Sequence, residues 1–190
     1  MRIPPLMAED TDVEAQSPQQ RLAARMRGIF AHRPKLAPAF TGFSAVLRSD
    51  GELPVRLREL VRLRIAFHNQ CRTCMTIRYE EALDAGVSEA LVCALQDPPG
   101  APDLTAAERA ALHFADLFAN NHLAIDDALF AELRGHFSDG DIVELGMLCA
   151  HWLGSGRLMA VMHVTEDLPD SATKDGVVAP WEMDSTFVFT

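Results

Sequence analysis

Hydrophobic positions recur at three- and four-residue steps through most of the chain between Pro18 and Val164, and no stretch shows the alternation of a half-buried strand. Ser17 followed by Pro18 reads as an N-cap and a first helical residue, opening a helix to about Phe30. A second helix is expected from Pro34, with Leu36, Ala39, Phe40, Phe43, Val46 and Leu47 as its apolar stripe and the turn Ser49-Asp50-Gly51 as its end. A third opens near Pro54. Its stripe is Leu53, Leu57, Leu60, Val61, Arg64, Ile65 and His68, while Glu59 falls on the opposite face with Arg62 and Ala66. An arginine within an apolar stripe, as Arg64 is, demands a buried carboxylate or a path to water. After a break at His68-Asn69-Gln70, a helix starting at Cys71 is predicted to run to Ala85-Gly86, glycine being the usual residue just past a helix end.

Ser88 caps a short helix to about Leu95, and Asp97-Pro98-Pro99-Gly100 is a loop. Thr105 and Glu108 form a capping box for a helix to about Phe118, and Asp126 or Asp127 caps another that ends near Gly135. Ser138 and Asp141 open the last and longest, to about Val164. It is apolar almost all round between Ile142 and Met162, the pattern of a buried C-terminal helix. Gly154-Ser155-Gly156 within it predicts a close backbone approach or a kink. Residues 1–17 read as a flexible arm, 18–165 as one helical domain, and 166–190 as an irregular tail. In that tail Trp181, Phe187, Val188 and Phe189 are available to dock on the body or on a neighbouring subunit. The fold class is all-α.

Charge and length narrow the function. The 190 residues carry 27 acidic and 17 Lys or Arg side chains, a net charge of −10 that argues against a nucleic-acid surface. The basic run Arg56, Arg58, Arg62 and Arg64 sprays around its helix and makes no patch. No apolar run reaches membrane-spanning length, and Met1 to Pro18 has acids and prolines where a signal peptide needs an apolar stretch. A cytoplasmic enzyme is the expectation. Four cysteines are too few for a disulfide scaffold, so a closely spaced pair points to redox or metal chemistry.

That pair is Cys71-Arg72-Thr73-Cys74. A thiolate can attack the O–O bond of a peroxide and become a sulfenic acid, which its neighbour converts to a disulfide that an external dithiol reduces. At a helix start, Cys71 gains from the free amides and the helix dipole. In a continuous helix Cys71, Cys74 and Arg78 share one face, so Arg78 supplies a cation that favours the thiolate, partly neutralised by Glu81. The leaving alkoxide needs a proton that arginine does not readily give. His68 is the nearest candidate donor in sequence, although a lone histidine on an apolar stripe is commonly a hydrogen-bonded core residue. Cys93 and Cys149 read as core residues, as do Met147, Met159 and Met162. His113, His122, His136, His151 and His163 have no metal-ligand spacing, and a four-cysteine zinc site lacks its second close pair. His151 beside Trp152 reads as a packed core histidine before a pocket residue.

Glu59, eleven residues, then Cys71-x-x-Cys74, followed by Ala82 to Gly86, resembles the carboxymuconolactone decarboxylase/alkylhydroperoxidase (AhpD-like) family. The likeness spans roughly residues 20–165 and is carried by LPVRLRELVRLRIAFHNQCRTC and LTAAERAALHFADLF. It implies an all-helical fold assembled as a homotrimer or homohexamer. It also implies a hydroperoxide substrate, an external dithiol reductant, no cofactor beyond the disulfide, and Glu59 in a proton relay to the thiols. By resemblance Cys74 is peroxidatic and Cys71 resolving, whereas the helix-start argument favours Cys71. Peroxidase members carry a histidine where Arg78 stands, and often another where Thr73 stands. A lactone decarboxylase and a non-catalytic redox-sensing subunit are the alternatives.

Overall fold

A computed structural model describes residues 1–7 and 15–190. Among these, ten α-helices and two three-residue strands follow in the order α1 (Pro18–Ala31), α2 (Ala37–Ser49), α3 (Val55–His68), α4 (Arg72–Thr76), β1 (Ile77–Tyr79), α5 (Glu80–Asp84), α6 (Glu89–Ala94), α7 (Ala106–Asn120), α8 (Asp127–Arg134), α9 (Asp139–Met162), α10 (Asp170–Thr173) and β2 (Phe187–Phe189). The protein is all-α apart from that strand pair.

Local chemistry sets the helix starts. Ser17, Thr105 and Ser138 each accept from the backbone amide three residues on, and Gln20, Glu108 and Asp141 reach back to the cap's own amide. Each box satisfies two donors that a helix N-terminus leaves open. Ser88 and Asp126 cap α6 and α8. α2 starts at Ala37, three residues later than expected, because a turn closed by the Leu36 amide on the Arg33 carbonyl (2.9 Å) precedes it.

The core is built around α3, which packs against α7 and α9. Leu60, Val61, Leu63 and Ile65 are wholly buried there, with Leu112 and Ala115 of α7 and Leu145, Leu148 and Cys149 of α9 in the same cluster. Full burial of each large aliphatic side chain contributes about 1.5–3 kcal/mol. The long helix α9 buries one side and leaves Val143, Met147 and Val161 outside. Gly156 meets the expected close approach: a Cβ there would stand 2.4 Å from Asn69 Nδ2, while Gly154 has open space. The stripe of α2 does not face this core. Only Leu47 is buried, and Leu36, Phe40, Phe43 and Val46 are exposed.

Both termini fold back onto the helices. Residues 1–7 are docked, with the Arg2 amide on the Met162 carbonyl (2.9 Å) and the Leu6 amide on the Gly28 carbonyl (3.1 Å); residues 8–14 of the expected arm lie outside the described residues. The tail buries Leu168, Ala172, Val178 and Ala179, and packs Trp181 against Phe67 with ring centroids 4.9 Å apart. Its last strand pairs in parallel with β1, Ile77 opposite Phe187, Arg78 opposite Val188 and Tyr79 opposite Phe189. The single helix expected from Cys71 to Ala85 is thereby corrected to α4, β1 and α5. The extended segment Ile77–Tyr79 gains a backbone partner in the tail that a helix would forgo. Gly86 still ends α5 in a positive-φ turn, as its position predicts.

Candidate active site at the cysteine pair

Past α3 the chain reverses at Gln70, which holds a left-handed conformation (φ 48°). A non-glycine residue adopts this conformation at a cost, and the tail helps to hold it. Gln70 Nε2 donates to the carbonyls of Phe67 (2.8 Å) and Val178 (3.1 Å), and its Oε1 accepts from the Val178 amide (3.1 Å). Cys71 then caps α4, its Sγ accepting from the Cys74 amide at 3.3 Å. A disulfide joins Cys71 and Cys74, whose Cα atoms are 5.2 Å apart. The two sulfurs differ in access. Cys71 is 1% exposed, whereas Cys74 is partly exposed and lines a cavity of about 270 Å³. Phe30, Phe40, Tyr79, Trp152 and Met159 form much of its wall.

Directly behind Cys74 lies a buried ion pair. Arg62 Nε and Nη2 donate to the two Glu59 oxygens at 2.6 and 2.7 Å, and the side chains are only 5% and 4% exposed. Arg62 also donates from Nη1 to the Cys74 carbonyl and from Nη2 to the Ile77 carbonyl, each at 2.8 Å. Burial would pull the Arg62 guanidinium down, but the Glu59 charge and hydrogen bonds outweigh it and hold the guanidinium above its ordinary value. Arg62 is therefore a permanent cation. Four of its five N–H donors are used, and one at Nη1 has no protein acceptor among the described residues. Arg62 lines the Cys74 cavity together with Arg48, whose guanidinium lies over the Tyr79 ring at 3.8 Å. A second space of about 20 Å³, enough for roughly one water, touches Glu59, Arg62, Tyr79 and Trp152.

The sequence-predicted residues divide. Cys71, Cys74 and Glu59 come together, Glu59 through Arg62, because α3 is buried on a second face as well as on its main stripe. Arg78 is a correction. The strand at Ile77–Tyr79 removes it from the face of the cysteines, and it is 1% exposed, paired with Glu89 through Nε (2.9 Å) and Nη2 (3.0 Å) and bonded to the carbonyls of Met75, Ile77 and Pro180. Glu81 pairs instead with Arg48 at 3.2 Å. His68 faces α7 and is absent from the cavity wall: Nε2 bonds Asp116 Oδ1 at 2.6 Å and Nδ1 lies 3.1 Å from Asn120 Nδ2. Asp116 is also the carboxylate that Arg64 required, at 2.6 and 3.0 Å.

Thr73 is buried, its hydroxyl on the Val164 carbonyl. Cys149 is buried as expected, and burial pushes its thiol up to about 12, but Cys93 is exposed and not part of the core. His151 is a packed residue hydrogen-bonded to Ser44 Oγ, and burial lowers its pKa. Arg62 and Tyr79 were missed as site residues. For Arg62 a signal existed, since Glu59 and Arg62 stand three apart on the same helix face. Tyr79 had none, because its placement depends on β1.

Residues 34–117 match the family described as carboxymuconolactone decarboxylase. An uncharacterized protein of Mycobacterium tuberculosis, represented in two strains, is 42% identical over 112 residues, a match spanning 57% of this chain. The chain spans only 38% of the length of these curated relatives. Among solved structures, a cysteine-to-alanine variant of debrominase Bmp8 in complex with 2,3,4-tribromopyrrole superposes with a TM-score of 0.67 at 21% identity, covering 85% of this chain and 89% of that one. The alkylhydroperoxidase AhpD core of an uncharacterized peroxidase-related protein from Ralstonia eutropha JMP134 gives a TM-score of 0.62 at 22% identity, covering 84% and 90%. At these identities the structural likeness is one of fold.

Proposed function

We propose that the chain, whose residues 34–117 match the carboxymuconolactone decarboxylase family and whose fold is AhpD-like, is a thiol-dependent hydroperoxide reductase working through Cys74 and Cys71. The observation that carries this reading is the asymmetry of the pair: Cys74 opens onto a largely apolar cavity while Cys71 is buried behind it. In the reduced enzyme the Cys74 thiolate attacks the terminal peroxide oxygen. The O–O bond breaks, Cys74 becomes a sulfenic acid and an alkoxide leaves, taking a proton to become the alcohol. The Cys71 thiol then displaces water from the sulfenic acid to form the disulfide, which an external dithiol reduces.

Arg62 takes the role first assigned to Arg78, since a fixed cation beside Cys74 stabilises the thiolate. Glu59 positions Arg62. The Tyr79 hydroxyl, which lines the cavity, is the group suited to protonating the alkoxide. Glu59, as the carboxylate paired with Arg62, serves only to accept and pass on a proton through a water in the small space it shares with Tyr79. A cavity built beside the reactive sulfur favours turnover over a purely sensing role.

The same reading takes the enzyme as a cytoplasmic homotrimer or homohexamer. Exposed Phe43, Val46, Val143 and Met147 give each chain an apolar surface to share. Among the described residues no helix is long and apolar enough to cross a membrane.

The test is to mix reduced protein with cumene hydroperoxide and count thiols. Loss of the Cys71 and Cys74 thiols, abolished in Cys74→Ser and made catalytic by excess dithiol, is expected. Thiols that survive excess peroxide would remove this function.

A further inference from the structure

The charge around the cavity runs against the charge of the chain. With 27 acidic and 17 basic residues the protein is strongly anionic, yet among the described residues the only charged side chains lining the Cys74 cavity are Arg48 and Arg62. A broader groove of about 580 Å³ adjoins it, sharing Met26, Phe30, Thr41, Arg48, Ile77 and Tyr79 with the inner cavity. Among the described residues that groove adds Arg27 and, from the tail, Phe189 and Thr190, and no aspartate or glutamate side chain, to its wall. Arg62 is committed to Glu59 and to two carbonyls, so it belongs to the sulfur. Arg48 is differently placed. It stands where the inner cavity and the outer groove meet, and stacking on Tyr79 fixes its guanidinium. Its Nε pairs with Glu81, and its two terminal nitrogens have no protein hydrogen-bond partner among the described residues. A guanidinium oriented by a ring, with its outer donors open above an apolar channel, suits bidentate binding of a carboxylate.

We propose that the preferred substrate is an amphipathic organic hydroperoxide bearing a carboxylate, such as a hydroperoxy fatty acid. Arg48 binds the carboxylate, and Phe30, Phe40 and Met159 contact the hydrocarbon. The peroxide then meets Cys74 with its apolar flank already desolvated. This rests on the peroxidase reading for its chemistry, which is unchanged: the peroxide oxygen bonded to hydrogen goes to Cys74, the other leaves as the hydroxy acid after protonation, and the external dithiol supplies the electrons. Recognition of an alkyl carboxylate by the cavity stands on the geometry alone.

Two measurements separate these dependencies. The first is equilibrium binding of octanoate and of octanamide, its neutral counterpart, to the disulfide form, followed by titration calorimetry. Octanoate should bind about ten-fold more tightly, the scale of one charge-assisted hydrogen-bonded contact, and Arg48→Gln should erase the difference. The second is the ratio of kcat/KM for a hydroperoxy fatty acid to that for its methyl ester, which should favour the acid in the wild-type enzyme and fall about ten-fold in Arg48→Gln. Equal binding of octanoate and octanamide to the wild-type protein, or binding of neither, would overturn the inference without touching the peroxidase reading. If octanoate is selected but no hydroperoxide consumes thiols, the carboxylate site stands and the peroxidase reading falls. The wild-type comparison does not depend on the variant folding.

Discussion

Removing the Glu59 carboxylate isolates the energetic centre of the site. In Glu59→Ala, Arg62 loses its bonds at 2.6 and 2.7 Å but keeps those to the Cys74 and Ile77 carbonyls, so the guanidinium stays where it is, buried and unpaired. Breaking one side of a buried ion pair costs about 3–5 kcal/mol, a large part of the roughly 5–15 kcal/mol that holds a domain folded. In Glu59→Leu/Arg62→Met the stranded charge disappears and the remaining loss is the Cys74 carbonyl left without its side-chain donor, about 1–3 kcal/mol, because the Ile77 carbonyl still accepts from Arg78 Nη1 at 3.1 Å. The double variant is therefore expected to be at least as stable as Glu59→Ala, far from the sum of two independent losses. Urea unfolding of the disulfide form at pH 7, with m-values compared to confirm the same transition, measures this. A Glu59→Ala loss below about 1 kcal/mol, or strictly additive losses, would refute the buried pair. The same reasoning gives a chemical readout: in reduced Arg62→Met, iodoacetamide should alkylate Cys74 more slowly at pH 7, because the cation that favours its thiolate is gone.

Other substitutions test the rest of the arrangement. Arg78→His, which would place there the histidine that the resemblance implies, is expected to destabilise by roughly 3 kcal/mol, since the carbonyls of Met75, Ile77 and Pro180 lose a donor; a rise in peroxide turnover with unchanged stability would contradict the placement of Arg78. Without reductant, the native protein should give one thiol to Ellman's reagent, the exposed Cys93, while buried Cys149 reacts only on unfolding; mass mapping of the labelled peptide decides it. Burial tends to raise the Asp116 carboxyl, but hydrogen bonds from His68 and Arg64 prevail and hold it below the usual range. Its stabilisation is therefore complete above about pH 4 and is lost as the pH falls through its depressed value. Asp116→Asn should lower Tm at pH 7 and flatten the acid limb of Tm against pH, and an unaltered limb would count against the contact.

The parts of this fold legible in the sequence are those whose cause lies within a few residues. Ser17 with Gln20, Thr105 with Glu108 and Ser138 with Asp141 announce their helices because cap and partner lie in one turn. The need of Arg64 for a carboxylate was equally readable from its stripe, though Asp116 as the answer was not. Helical-wheel reasoning faltered where it assumed a single buried face. α3 is enclosed on both, so Glu59 and Arg62 lie inside the protein as a pair. It failed at Ile77–Tyr79, where no local pattern reveals that the partner strand is Phe187–Phe189, far along the chain. That error displaced Arg78 from its actual role and hid Tyr79 from view. The exposed stripe of α2 has the opposite lesson: periodicity identifies a helix but not what its apolar side faces.

The pairing of β1 with β2 also sets an order of events at the ribosome. α3, Cys71 and Cys74 emerge before α5 to α10, and the strand that clasps Ile77–Tyr79 is made only after all of those helices. For that interval the helices can gather around α3 through contacts already available, whereas the cysteine segment waits for a long loop to close. Nascent chains thus carry the Cys71 and Cys74 sulfurs uncovered by the tail. Whatever redox state the surroundings impose on them is acquired before the tail arrives.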